Sequence, residues 1–207
     1  MASNIAICTT YFIEMLIAYI FFSQIGERKH NFWLCCIIGT VVFEVGAISD
    51  IIFSNTIWLN ALMFIIINFS FAVLCFDIKT TKILFYSIIL DIFSTALEFA
   101  AIFLISTLTG TKVNEYVDDL TFFIIDVSIS KILYFLTCLI LSALIKKEKR
   151  SVKIPIALYF YPIVITLALI LFWSICTNYK LSNTHQILLS ITSMLMFFST
   201  VMLFIVY

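Results

Sequence analysis

The chain has 207 residues and zero formal net charge; 63% of its residues are hydrophobic and only 12% are charged, for a mean hydropathy of +1.17. A water-soluble globule cannot bury that much apolar surface, so the composition excludes a soluble domain and assigns the chain to a lipid bilayer. The charge balance gives no overall basic surface for nucleic acid, and what matters is where the charges fall along the chain.

Seven apolar runs, at residues 5–25, 32–49, 56–76, 83–107, 121–145, 154–176 and 187–207, each suffice to cross ~30 Å of hydrocarbon at about 1.5 Å per residue. They predict an all-α, polytopic membrane bundle of seven transmembrane helices, with no room left for a soluble domain. The first run carries Glu14 and is preceded by Met1 to Asn4, which hold no basic residue. It therefore reads as a retained span rather than a cleaved secretory signal. A connection with Arg28 and Lys29 follows, and then the second span, with Trp33 near its start and Glu44 inside it. Gly39 and Gly46 lie seven apart on one face of that span and would let another helix approach closely.

The third span begins near Trp58 and leads into a short basic connection with Lys79 and Lys82. In the fourth span Ser87, Asp91, Ser94 and Glu98 are spaced four, three and four apart and form one polar stripe along a helix, which will not face lipid. The next connection holds Glu115, Asp118 and Asp119 against Lys112 and is locally acidic, a solvated face or an attraction for a cationic peptide. The fifth span contains Asp126 and Lys131, and it ends in Lys146, Lys147, Lys149, Arg150 and Lys153. In the sixth, Pro155 sits at the start where its missing N–H costs nothing, whereas Pro162 removes an interior donor and predicts a kink or hinge. Trp173 lies near that span's end.

Nine of the twelve basic residues fall in three alternate connections. Because basic residues are retained in the cytoplasm, this bias predicts an outside amino terminus and a cytoplasmic carboxyl terminus. Six ionisable side chains remain inside spans: Glu14, Glu44, Asp91, Glu98, Asp126 and Lys131. Each would cost on the order of 3 kcal/mol at the bilayer centre, so they must pair, neutralise or face a cavity. The expectation is that Lys131 pairs with Glu98 or Asp126, that five of the six meet in one layer with Asp91 deeper toward the cytoplasm, and that the surplus carboxylates stay protonated or line a wet pocket open to the outside. The alternative is a structural network, since interhelical polar contacts worth about 0.6 to 2 kcal/mol are common.

Other chemistry finds no support. Cys8, Cys35, Cys36, Cys75, Cys138 and Cys176 all lie in expected spans without CxxC or Cys/His spacing and read as small packing residues, so no metal site is expected. His30 and His185 lie in connections on opposite sides, and neither has a nucleophile partner. No phosphate loop, HExxH or paired-Asp protease pattern occurs. A retinal-type Schiff base is disfavoured because Lys131 is in the fifth span and not the last. No catalytic residue and no cofactor is expected in this chain.

The seventh run stops while still apolar, without a basic anchor, so the sequence reads as a fragment whose last helix runs on into a cytoplasmic domain. Three features then carry a resemblance: the seven-span outline with an outside start, the basic loop and acidic apolar helix DIKTTKILFYSIILDIFSTALEFA, and the closing SMLMFFSTVMLFIVY. With these the chain resembles the amino-terminal membrane sensor of quorum-sensing, peptide-pheromone histidine kinases of the accessory-gene-regulator type, whose catalytic part has a GHKL ATPase fold. The resemblance implies that residues 1–207 form one sensor domain in a bacterial plasma membrane. A kinase domain would follow, the protein would be a homodimer, and it would act on a cytoplasmic response regulator. An extracellular peptide or small ligand would bind the outer bundle, and the seventh helix would convey the shift. The phosphate-accepting histidine and ATP-binding boxes of that family have no counterpart in these residues. Two other classes compete: the substrate-binding membrane subunit of a small-molecule transporter, of similar length, and an intramembrane enzyme using paired carboxylates as acid and base. The chain lacks the paired broken helices of many secondary transporters, having only four glycines and two prolines.

Overall fold

The structure is a computed structural model that describes residues 2–53, 57–109 and 120–147. These residues form five helices: α1 (Ala2–Ile25), α2 (Phe32–Ile52), α3 (Ile57–Cys75), α4 (Thr80–Thr109) and α5 (Leu120–Lys147). Two short strands, β1 (Glu27–Arg28) and β2 (Phe76–Asp77), follow α1 and α3. Four of the helices are long and apolar enough to cross a membrane, while the apolar stretch of α3, Leu59–Cys75, is shorter. Of the seven expected spans, the first, second, fourth and fifth are thus helices of crossing length among the described residues, and the third is the shorter apolar helix α3. The chain leaves the helix after Cys75, and Phe76, expected inside the third span, pairs as a strand instead. The sixth and seventh runs, with Pro162, and the acidic connection with Glu115, Asp118 and Asp119, lie outside the described residues.

The helices start and stop for identifiable reasons. Asn31 adopts extended backbone (φ −65°, ψ 162°), and its Oδ1 accepts the N–H of Leu34 at 2.9 Å, which satisfies one orphan donor at the start of α2. At the other end, the N–H of Phe53 donates to the carbonyl of Ser49 at 2.8 Å. The end of α3 is closed from outside the helix. Lys29 gives its backbone N–H to the Cys75 carbonyl at 2.9 Å and its ammonium to the Val73 carbonyl at 2.8 Å. A cation thus sits on the negative end of the α3 dipole, on carbonyls that have no intrahelical donor.

The chain divides into two compact units, one of residues 1–91 and 135–150, the other of residues 92–134 and 151–207. In the first unit α1 packs on α2 and α2 on α3. Gly39 and Gly46 make that packing possible. A Cβ on Gly39 would stand 2.8 Å from both Met15 Cγ and Phe71 Cε2, and one on Gly46 would meet Ile67 Cδ1 and Tyr11 Cε1. The glycine face read from the sequence is therefore the contact face of α2. Around it runs a chain of aromatic edges, Phe43 on Phe71, Phe71 on Phe76, and Phe76 against Phe22 and Tyr19.

One end of this unit collects basic residues. β1 and β2 pair antiparallel, with Arg28 opposite Phe76, and so hold the connection after α1 against the connection after α3. The Arg28 guanidinium donates to the Tyr19 hydroxyl at 3.0 Å. Near the end of α5, Ser142 Oγ donates to Gln24 Oε1 in the last turn of α1 at 3.0 Å. The connection with Arg28 and Lys29, the connection with Lys79, and the start of the third basic connection thus leave the unit at the same end.

Candidate functional site

The second unit contains the later part of α4 and the earlier part of α5. The Lys131 ammonium on α5 lies 2.5 Å from Glu98 Oε1 on α4. It also donates to Ser94 Oγ at 3.3 Å, and Ser94 in turn donates to the same Glu98 oxygen at 3.3 Å. Ser94 and Glu98 are four residues apart, one helical turn, so a single face of α4 presents both groups to the ammonium. Of the two partners open to Lys131 in the sequence reading, the geometry gives Glu98.

Burial is unequal across this triangle. Lys131 is 5% exposed, whereas the Glu98 side chain keeps 44% of its surface uncovered by protein. The ring of Tyr134, one turn beyond Lys131 and itself buried, lies 5.9 Å from the ammonium and offers its face to the cation. Asp126 is 8% exposed and lies within electrostatic reach of both Glu98 and Lys131. Its Oδ1 is buried and has no hydrogen-bond partner. Two carboxyl groups and one ammonium thus lie within electrostatic reach of one another.

The rest of the α4 stripe continues inward. Ser87 is fully buried and donates to the Ile83 carbonyl at 2.9 Å, so its hydroxyl is satisfied within its own helix. Asp91 is 2% exposed, two turns before Glu98 on the same helix. α4 is the most enclosed of the four helices long and apolar enough to cross a membrane, with 78% of its apolar window buried against 33 to 39% for the others, which accounts for a polar stripe in so apolar a chain.

Glu14 and Glu44 belong to the first unit together with Asp91. Glu14 is 4% exposed on α1. Glu44 on α2 lies within hydrogen-bonding reach of Cys8 on α1. Of the six ionisable residues singled out, the structure gathers Glu98, Asp126 and Lys131 into one cluster. The other three are polar groups of the helices in which they were expected.

No protein family, curated protein or solved structure matches the chain. The described residues hold no group of three metal-ligating side chains.

Some polar contacts escaped the sequence reading. Asp50, placed just beyond the second span, is the last polar residue of α2 and receives Asn60 Nδ2 of α3 at 2.5 Å. Asn68 is fully buried in α3 and turns its amide onto the Phe64 carbonyl at 3.0 Å. Cys35 and Cys75, both fully buried, each aim a thiol at the other's carbonyl, at 4.0 and 3.9 Å. An antiparallel α2–α3 pair brings residues equally far from the turn side by side, and that symmetry was the available signal for Asp50 with Asn60 and for Cys35 with Cys75. Tyr134 carried a similar signal, lying three residues from Lys131 on the same helix face.

Proposed function

We propose that the chain is the membrane-embedded sensor of a receptor histidine kinase of the accessory-gene-regulator type. It crosses a bacterial plasma membrane seven times, with the amino terminus outside and the carboxyl terminus inside. An extracellular ligand, a peptide or a small molecule, engages the outer bundle. The last helix passes the change to a kinase domain beyond residue 207, which works as a homodimer and phosphorylates a cytoplasmic response regulator.

The observation that carries this reading is the cluster of Lys131, Glu98, Ser94 and Asp126 held between two apolar helices. Ionisable groups at that depth are costly and mark pathways, ligand sites or counter-ions rather than ordinary packing. A pair enclosed at the lysine and open at the glutamate is suited to exchange partners when a ligand arrives. A ligand that prefers one arrangement of the pair shifts the bundle by its difference in affinity, and a coupling of about 1 to 3 kcal/mol suffices. The common exit of the basic connections supports the orientation, because it sets those charges at one membrane face.

The test is phosphorylation. The protein translated from the whole reading frame is placed in inside-out vesicles loaded with conditioned medium from a dense culture of the source cells, and ATP-dependent labelling is followed. The proposal expects labelling to change with the dilution of the medium. A frame without a kinase domain, or labelling indifferent to the medium, contradicts it.

A further inference from the structure

The cluster holds two carboxyl groups and one ammonium. Glu98 and Asp126 stand against Lys131, and the Lys131 ammonium is already 2.5 Å from Glu98. Asp126 is more than nine-tenths buried, in electrostatic contact with both members of that pair, and its Oδ1 lacks a hydrogen-bond partner. A buried carboxyl oxygen left unmatched is costly, so a group that supplies hydrogen-bond donors there gains affinity by relieving it. Glu98 adds a second request of the same kind. Only its Oε1 is engaged among the described residues, by Ser94 and Lys131, and nearly half of its side chain is uncovered.

The neighbours favour an organic cation over a metal ion. An ammonium is already in place beside the carboxylates, and a small divalent ion would want six or more oxygens where the cluster has two carboxyls and a hydroxyl. Phe122 and Phe123, one turn before Asp126 on α5 and only partly covered, offer aromatic surface to an apolar stem.

We infer that the open edge of the Glu98–Lys131 pair is a binding site for an organic ammonium or guanidinium group, received by Asp126 and Glu98, and that the ligand of this sensor carries such a group. The inference rests on the receptor reading for the word ligand, but the site is defined by its own residues. A cation seated on Asp126 competes with Lys131 for Glu98. Binding is thereby coupled to the contact between α4 and α5.

The test uses the full chain in phosphatidylcholine nanodiscs and n-hexylammonium as the probe, with n-hexanol and n-hexanoate as partners of equal stem length and empty discs as background. The expected result is saturable binding of n-hexylammonium and none of n-hexanoate. Asp126→Asn should weaken the former at least tenfold, and Lys131→Met, which removes the competing cation, should strengthen it at least tenfold. Asp126→Ser replaces Asp126→Asn if that variant does not elute as a monodisperse particle. The wild-type comparison of n-hexylammonium with n-hexanoate decides the matter even if every variant misfolds. Equal uptake of the two, uptake no greater than in empty discs, or unchanged binding in a folded Asp126 variant overturns the inference. No signalling is read in this assay, so its failure leaves the receptor reading standing, and silent phosphorylation with intact n-hexylammonium binding would sink the receptor reading alone.

Discussion

Removing Lys131 alone strands the carboxyl groups of Glu98 and Asp126 inside the bundle. Breaking a fully buried ion pair by deleting one partner costs about 3 to 5 kcal/mol, whereas replacing both partners by apolar residues is often neutral. Because Glu98 keeps 44% of its surface uncovered, the loss for Lys131→Ala should fall below that range. The double variant Lys131→Met/Glu98→Leu should recover most of it, as thermal unfolding in lipid discs would register. Strictly additive single losses would show that the two side chains are not partners. A steric prediction belongs to the same scale. Gly39→Val brings a branched side chain against Met15 and Phe71, and Phe71 is fixed between Phe43 and Phe76, so the neighbours cannot give freely. Overpacking of this kind costs about 1 to 3 kcal/mol, and a normal unfolding temperature for Gly39→Val would contradict the close approach of α1 and α3 to α2.

Single residues were legible where their cost was large. One lysine and several carboxyls in apolar runs announce themselves through the expense of burying charge, and the spacing of Ser94 and Glu98 put both on one face. Which carboxyl Lys131 takes was not legible, because the choice between Glu98 and Asp126 depends on the rotation of α5 against α4, which sequence spacing does not fix.

Helix positions followed from hydrophobicity, and the helices begin and end within a few residues of the expected runs. The strands did not, since two-residue ladders carry no periodicity. Their consequence is topological. By joining the connections after α1 and α3, and with Gln24 bonded to Ser142, they place the exits of α1, α3 and α5 together. In a cysteine-free background, Lys79→Cys and Lys149→Cys should react with a membrane-impermeant maleimide only after the cells are opened. Lys112→Cys should react on intact cells. Labelling of Lys79→Cys and Lys149→Cys from opposite sides would contradict the common exit.

For the molecule as a whole, the proposed receptor function requires the ion pair to do more than hold α4 and α5 together: it has to set the response. A structural tie would lower abundance when cut, with the surviving protein responding as before. A ligand-responsive pair would change the dose at which the survivors respond. The decisive measurement is the dose dependence of phosphorylation in the full-length protein, normalised to its amount in the membrane, for Lys131→Ala, Glu98→Ala and the two combined. The account predicts that each single variant moves the midpoint at least tenfold and that the combination moves it no further than the larger single change. Midpoints within twofold of the unaltered protein at normal abundance would contradict it.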